Sequence, residues 1–227
     1  DIPIHHYGAV RDREFKKKKE KYLELGKIKL GNAKSFYEFG LQNKELGRLD
    51  EAEKAFIEAI KMDDKSIGAY YNLGVVYEMQ KKYDEAIAQY KKALSFEKHS
   101  DALFGIGVCF FKKDNLKEAA GYFEEAAKIN PFNVKAYINL GAVYEKEGSY
   151  KKAINALRNA VELNPKNAKA YFNLAIVCEK EKDFRNAVIA YSKAVEFGHE
   201  KKEEIIKEIN ELKNLVTDVD YSYSVGM

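Results

Sequence analysis

The sequence predicts an all-α chain, an α-solenoid of five helix–turn–helix units, and three observations carry that expectation. First, Ala52, Ala86, Ala119, Ala153 and Ala187 stand 34, 33, 34 and 34 residues apart. Each is followed seven residues later by another alanine, at positions 59, 93, 126, 160 and 194; a period near 34 is that of a stacked helical repeat. Second, 46% of residues are hydrophobic and 33% charged, a balance suited to amphipathic helices and not to disorder. Third, the only prolines are Pro3, Pro131 and Pro165, so long helices are permitted almost everywhere.

Taken in order, residues 1–32 lie outside the repeats. Ile4-His5-His6-Tyr7-Gly8 reads as a short extended segment. Arg11 to about Leu30 reads as a leading helix, with Phe15, Tyr22, Leu23 and Leu25 among the lysines at 16–19. The repeats follow as units 33–66, 67–99, 100–133, 134–167 and 168–201. Their first helices carry Phe39-Gly40, Leu73-Gly74, Ile106-Gly107, Leu140-Gly141 and Leu174-Ala175. Their second helices carry Phe56, Tyr90, Phe123, Leu157 and Tyr191 four residues beyond the first alanine. Helices approach to 8–10 Å only where side chains at the contact are small. A mid-helix glycine costs roughly 1 kcal/mol against alanine, so glycines in register call for a packing reason. Residues 202–216 then form a capping helix with Ile205, Ile206, Ile209, Leu212 and Leu215 or Val216 on its apolar side. Residues 217–227 are expected to be a flexible tail.

Together Ala136-Tyr137-Ile138-Asn139-Leu140-Gly141, Tyr144, Gly148, Tyr150, Ala153, Ala160 and Pro165 resemble the motif of the tetratricopeptide repeat, and the likeness covers about three quarters of the chain. It departs at Asp64, Lys98 and His199, which replace the usual proline, at Ala175 for glycine and at Asn43 for a large aromatic. The resemblance implies a right-handed α-solenoid whose first helices line a concave groove.

On that groove the expected contact residues are Tyr37 and Glu38, then Tyr71, Asn72 and Val75, then Phe104 and Val108. Further along come Ile138 and Asn139, then Phe172, Asn173 and Ile176, flanked by Lys135 and Lys169. Asn72, Asn139 and Asn173 share one column, with Glu38 and Gly105 at the matching positions of the other two units. An amide both donates and accepts, so such a ladder suits an extended peptide backbone, and it looks like the one in the superhelix of O-GlcNAc transferase. Exposed tyrosines and phenylalanines suit binding anchors. Lys135, Asn139, Lys169 and Asn173 supply part of a carboxylate clamp, but the preceding unit offers apolar Phe104 and Val108, so no full clamp is expected.

The formal charge of +3 demands neither nucleic acid nor membrane as a partner, and no apolar run is long enough to span a bilayer. Cys109 and Cys178 sit in apolar helical stretches, as buried thiols of a reducing, cytoplasmic compartment do. No nucleophile, base and oxyanion donor are assembled, and no metal or cofactor site is expected. The expected function is therefore a non-catalytic scaffold that binds a protein or peptide in its groove, with self-association as a further possibility. An alternative comes from Ile4 to Gly8, which resembles the end of a family 2 glycosyltransferase domain that continues into such repeats. With Asp1 in place of a start methionine, it suggests an accessory domain of a larger enzyme, with His5 or His6 near the missing active site. Asp218-Val219-Asp220 spells a metal–nucleotide motif, but in a tail and not after a strand.

Overall fold

The computed structural model describes residues 32–224. The leading segment, with His5, His6 and the proposed glycosyltransferase junction, lies outside them. Among the described residues there are eleven α-helices and no strand. They run α1 Ala33–Glu45, α2 Leu49–Met62, α3 Ile67–Met79, α4 Tyr83–Leu94, α5 Ser100–Lys112 and α6 Leu116–Ile129. They continue as α7 Val134–Lys146, α8 Tyr150–Leu163, α9 Ala168–Lys180, α10 Phe184–Glu196 and α11 Lys202–Ser224. The chain divides into two compact units, the first ending at Cys109 and the second beginning at Phe110.

Each hairpin turns in the same way. The residue after the first helix's last turn takes a left-handed conformation at Gly47, Lys81, Asp114, Gly148 and Lys182, with φ between 61° and 74°. Just beyond it, the amide of Arg48, Lys82, Asn115, Ser149 or Asp183 donates back to the carbonyl of residue 43, 77, 110, 144 or 178, at 2.8–2.9 Å. This is the Schellman closure of a helix end. Its recurrence at steps of 34, 33, 34 and 34 makes the turn as periodic as the alanines. Three turns manage without glycine, at a conformational cost of about 1–2 kcal/mol each. Asn32, Asn133 and Asn167 cap first helices by accepting from the amide three residues on, which satisfies an otherwise orphaned donor.

The alanine columns are fully buried, from Ala52 to Ala194. In the first unit a Cβ on Gly40 would stand 2.7 Å from the Phe56 ring. One on Gly74 would stand 2.8 Å from Tyr90, and one on Gly105, in the next first helix, 2.6 Å from the same ring. Tyr90 is therefore held on two sides, and its hydroxyl donates to Glu78 Oε2 at 2.9 Å. Gly105 belongs to this packing. In the second unit a Cβ on Gly141 would stand 2.5 Å from Leu157, and Tyr191 donates to Glu179 Oε2 at 3.0 Å. Cys109 and Cys178 are buried thiols, and desolvation pushes the Cys178 thiol up to about 11, away from nucleophilic use.

The last helix runs to Ser224, past residue 216, where the sequence reading ended it and began a tail. No glycine or proline interrupts the sequence between Gly198 and Gly226, so nothing stops the helix earlier. Asp218-Val219-Asp220 is helical. Ile205, Ile209 and Leu212 are buried with Tyr191 and Ala194 of α10. Ile206 and Leu215, expected on the same side, are 39% and 46% exposed, because among the described residues the last helix packs chiefly on α10, and a single neighbour covers a narrow stripe.

Two tests follow from this packing. Gly74→Ala forces a methyl against a ring that has no room to move, and overpacking of about 1–3 kcal/mol outweighs a helical gain of about 1 kcal/mol. Gly121→Ala in α6, with nothing within 4 Å of the new methyl, gains that propensity without penalty. Thermal melts are expected to move down for the first and up for the second; shifts of the same sign refute the contact as the cause.

Burial, then the facing carboxylate, raises the hydroxyls of Tyr90 and Tyr191 well above the ordinary tyrosine value. A group whose folded pKa is raised gives stability that is complete below its unfolded pKa, about 10, and is lost as pH climbs through the folded value. Stability is thus expected to be level across neutral pH and to fall above about pH 10. The fall is expected to be smaller in a Tyr90→Phe, Tyr191→Phe variant when urea midpoints are compared.

Candidate functional site

The face the sequence reading expects to meet a ligand is a stripe along each first helix, at spacings i, i+4, i+7 and i+11, which fall on one side of an α-helix. In α7 the stripe is Lys135, Asn139, Ala142 and Lys146; in α9 it is Lys169, Asn173, Ile176 and Lys180. These two helices pack on each other in the second unit. In the first unit α1 and α3 present Tyr37, Glu38, Tyr71, Asn72 and Val75, and α5 presents Phe104 and Val108.

The three asparagines of the column meet three different fates. Asn72 is buried, 6% exposed. Its amide donates to the Gly68 carbonyl at 2.8 Å and the Tyr37 hydroxyl at 3.3 Å, and its oxygen accepts from Lys44 Nζ. Both its N–H groups are spent and the side chain is buried, so it has less to give a peptide than the other two. Asn139 is half-buried and donates to the Lys135 carbonyl at 2.9 Å, so its oxygen remains available. Asn173 is half-buried and makes no hydrogen bond to a described residue.

The side chain 28 residues upstream, on the neighbouring first helix, accounts for this. Asn72 faces Lys44, at the position that Phe111 holds for Asn139 and Glu145 for Asn173. A lysine reaches the amide, and desolvation there lowers its pKa. Phe111 has no donor and lies under Lys146 Nζ, 4.9 Å from the ring centre. Glu145 pairs with Lys180 of α9. That pairing, led by the hydrogen bond, raises the Lys180 pKa.

Asn173 opens onto a cleft between α7 and α9. Gly141, Ala142, Glu145, Leu157, Ile176 and Val177 complete its walls, and its open volume is about 80 Å³. Small-molecule sites take about 300–1,000 Å³, so this cleft has room for a single side chain. Its rim is polar and its floor aliphatic, with the Asn173 amide able to donate to or accept from a passing backbone.

The expected aromatic anchors are partly absorbed by packing. Tyr71 lies between Tyr90, 5.7 Å away, and His99, 5.3 Å away. Phe172 repeats this between Tyr191 at 5.9 Å and His199 at 4.3 Å. Both histidines are fixed, Nδ1 accepting from the amide of Ala102 or Lys201. Tyr37 packs on Phe56, 5.9 Å between centres. Glu38 is exposed and meets Lys34 at 4.0 Å. Val75, Phe104, Val108, Ile138 and Ile176 are half-buried, and Lys135 and Lys169 are exposed.

The sequence reading missed Lys44, Glu145 and Lys180, together with the tyrosine–glutamate pairs. The 28-residue offset was the available signal. Among the described residues no group of three or more His, Cys, Asp and Glu side chains is placed to hold a metal ion. No helix among them is long and apolar enough to cross a membrane.

Comparison with known proteins agrees with this architecture. Models of the tetratricopeptide repeat match residues 40–81, 68–99, 100–133, 134–167 and 156–188. RNA polymerase-associated protein CTR9 of Caenorhabditis elegans is 31% identical over 107 residues, 46% of this chain and 9% of that protein. BBSome complex member BBS4 of Bos taurus is 30% identical over 95 residues, 42% of this chain and 18% of that protein. The chain thus matches only a small part of each relative's length. The crystal structure of MamA superposes with a TM-score of 0.66 at 25% identity, covering 72% of this chain and 96% of that one. PilF of Pseudomonas aeruginosa gives 0.72 at 21% identity, covering 86% and 88%. YrrB, described as carrying an unusual peptide-binding site, gives 0.64 at 22% identity, covering 85% and 97%. With matched repeats running from residue 40 to residue 188 and helical hairpins throughout the described residues, the chain belongs to the tetratricopeptide repeat family.

Proposed function

We propose that the chain is a non-catalytic interaction module that binds an extended segment of a partner protein along the α7–α9 face of its second unit. The observation that carries the reading is the α7–α9 cleft, sized for one side chain, beside an asparagine with no hydrogen bond to any described residue. A backbone amide or carbonyl laid across that amide satisfies it, while an apolar side chain fills the space above Ala142 and Ile176. CTR9 and BBS4 are named as associated with, or members of, larger assemblies, which accords with a role in binding proteins. The first unit contributes less, because Lys44 occupies its asparagine. The accessory-domain reading rests on residues 4–8, outside the described part, and the matched family models lend it no support.

Peptide-array binding by the wild-type chain, Asn173→Ala and Ile176→Glu tests the proposal. Losing one hydrogen bond, worth about 0.5–1.5 kcal/mol, weakens binding by roughly twofold to tenfold. A carboxylate in the cleft removes binding outright. Ala88→Glu, on the exposed side of α4, is expected to bind as wild type. If all four chains retain the same peptides, the α7–α9 face is not the site.

A further inference from the structure

The first helices of the solenoid all begin at one place in the repeat. The residues just before them, Asn32, Ser66, His99, Asn133 and Asn167, follow at steps of 34, 33, 34 and 34. Each of the three asparagines accepts, through its side-chain oxygen, from the amide three residues on, at 2.9–3.1 Å. Ser66 makes no such bond. His99 makes it with a ring nitrogen: its Nδ1 accepts from the Ala102 amide at 3.2 Å. Its carbonyl also receives the bond of the first turn, from the Leu103 amide at 3.2 Å. His99 is therefore the N-cap of α5, an imidazole standing where three other repeats hold an amide.

The two kinds of cap respond differently to acid. An asparagine oxygen carries no titrating proton and keeps its lone pairs. A histidine nitrogen accepts only while it is unprotonated, and imidazole changes charge between about pH 5 and 8. A backbone amide can only donate, so the contact with Ala102 requires the bare nitrogen to be Nδ1 and the proton of the neutral ring to sit on Nε2.

The ring is half-buried. Tyr71 of α3 lies 5.3 Å from it, tilted by 53°, and packs in turn on Tyr90 of α4. Burial, then the charges of Asp101 in α5 and Glu78 in α3, push the Tyr71 hydroxyl above its ordinary value, so it stays neutral throughout the histidine range. The Asp101 carboxylate attracts an imidazolium, and the positive end of the α5 dipole repels one. Neither returns a lone pair to an Nδ1 that carries a proton. His199 is placed differently. Its Nδ1 accepts from an amide only two residues on, and the first bond of α11 goes to the Lys201 carbonyl, so it braces a turn and caps no helix.

We infer that His99 is an acid-sensitive latch on α5: the neutral ring holds the first turn of the helix closed, and protonation at Nδ1 opens it. That turn carries Ala102 and Leu103, both buried, and leads to Gly105, which seats against Tyr90. The latch thus acts on the seam between the second and third repeats. It is complete at the upper end of the histidine range and is lost as pH falls through it. Asn32, Asn133 and Asn167 cap their helices at either end of that range. The inference does not depend on where a partner binds.

Native-state hydrogen exchange of the full chain, read by NMR, tests the latch against His99→Asn, which installs the cap of the other repeats. Protection is taken relative to unstructured amides at each pH, which removes the intrinsic pH dependence of exchange. In the wild-type chain, protection at Ala102 and Leu103 is expected to fall about threefold to tenfold between about pH 8 and pH 5. At Ala136 and Ala170, under asparagine caps, it is expected to stay level. In His99→Asn all four amides are expected to stay level. His99→Ala, which has no acceptor at any pH, is expected to show the opened value at Ala102 throughout. The remaining histidines are common to all three chains, so their titration cancels in the comparison. Level protection at Ala102 in the wild-type chain overturns the latch. So does an equal fall in His99→Asn, which assigns the response to another group such as Asp101, and so does a fall shared by Ala136 and Ala170. Protection in His99→Ala equal to that of the wild-type chain at about pH 8 overturns it as well.

Discussion

The fold depends on one contact, a small residue on a first helix against a large one on a neighbouring second helix. The Phe56 ring occupies the space where Gly40 would carry a Cβ, and Leu157 does the same at Gly141. Tyr90 does it twice, against Gly74 and against Gly105. This contact sets how closely helices approach, because interaxial distance follows the side chains at the crossing. Once that distance is set, the buried alanines follow, and so does the need for a tight turn with a left-handed residue at every hairpin. The turn then delivers the next chain segment at the angle the following contact requires. The repeat therefore propagates by geometry, each hairpin needing only its neighbours.

Much of this was legible in the sequence because it is periodic. Alanines, glycines and large residues recur at steps near 34, and burial follows the same columns. The left-handed turns were half visible: Gly47 and Gly148 announce themselves, whereas Lys81, Asp114 and Lys182 do so only by register. The end of α11 was misread for a different reason. A helix stops where a residue or a lost neighbour stops it, and the polar composition of Thr217–Ser224 carries neither signal. Ile206 failed similarly, since apolar spacing shows which residues could be buried but not how wide a surface the neighbour offers.

The candidate binding face was less legible, because its chemistry is decided between repeats. Asn72 and Asn173 occupy the same column, and nothing in their own units separates them. What separates them is Lys44 in one case and Glu145 in the other, 28 residues upstream and one first helix away. A donor there closes the amide, with the lysine giving up part of its hydration. An acid there turns instead to a lysine of the following helix and leaves the amide open.

This arrangement uncouples the scaffold from its specificity. The small residues that set helix approach lie along one side of each first helix, and the proposed binding stripe runs along another. Lys135, Asn139, Lys169 and Asn173 can therefore change without touching the glycine–aromatic contacts, whereas Tyr71 and Phe172 pack on the large rings themselves. A lysine, a phenylalanine and a glutamate stand at the same position of the first helices α1, α5 and α7, and the periodic core is kept in each. The hydrogen bond from Lys44 and the ion pair of Lys180 are worth little to stability, since partly exposed pairs contribute about 0–1 kcal/mol. Their effect lies in which polar groups they leave unpaired on the candidate face. Reading such a face requires following each polar side chain to its neighbour in the preceding helix, because the column alone does not say whether the group is already spent.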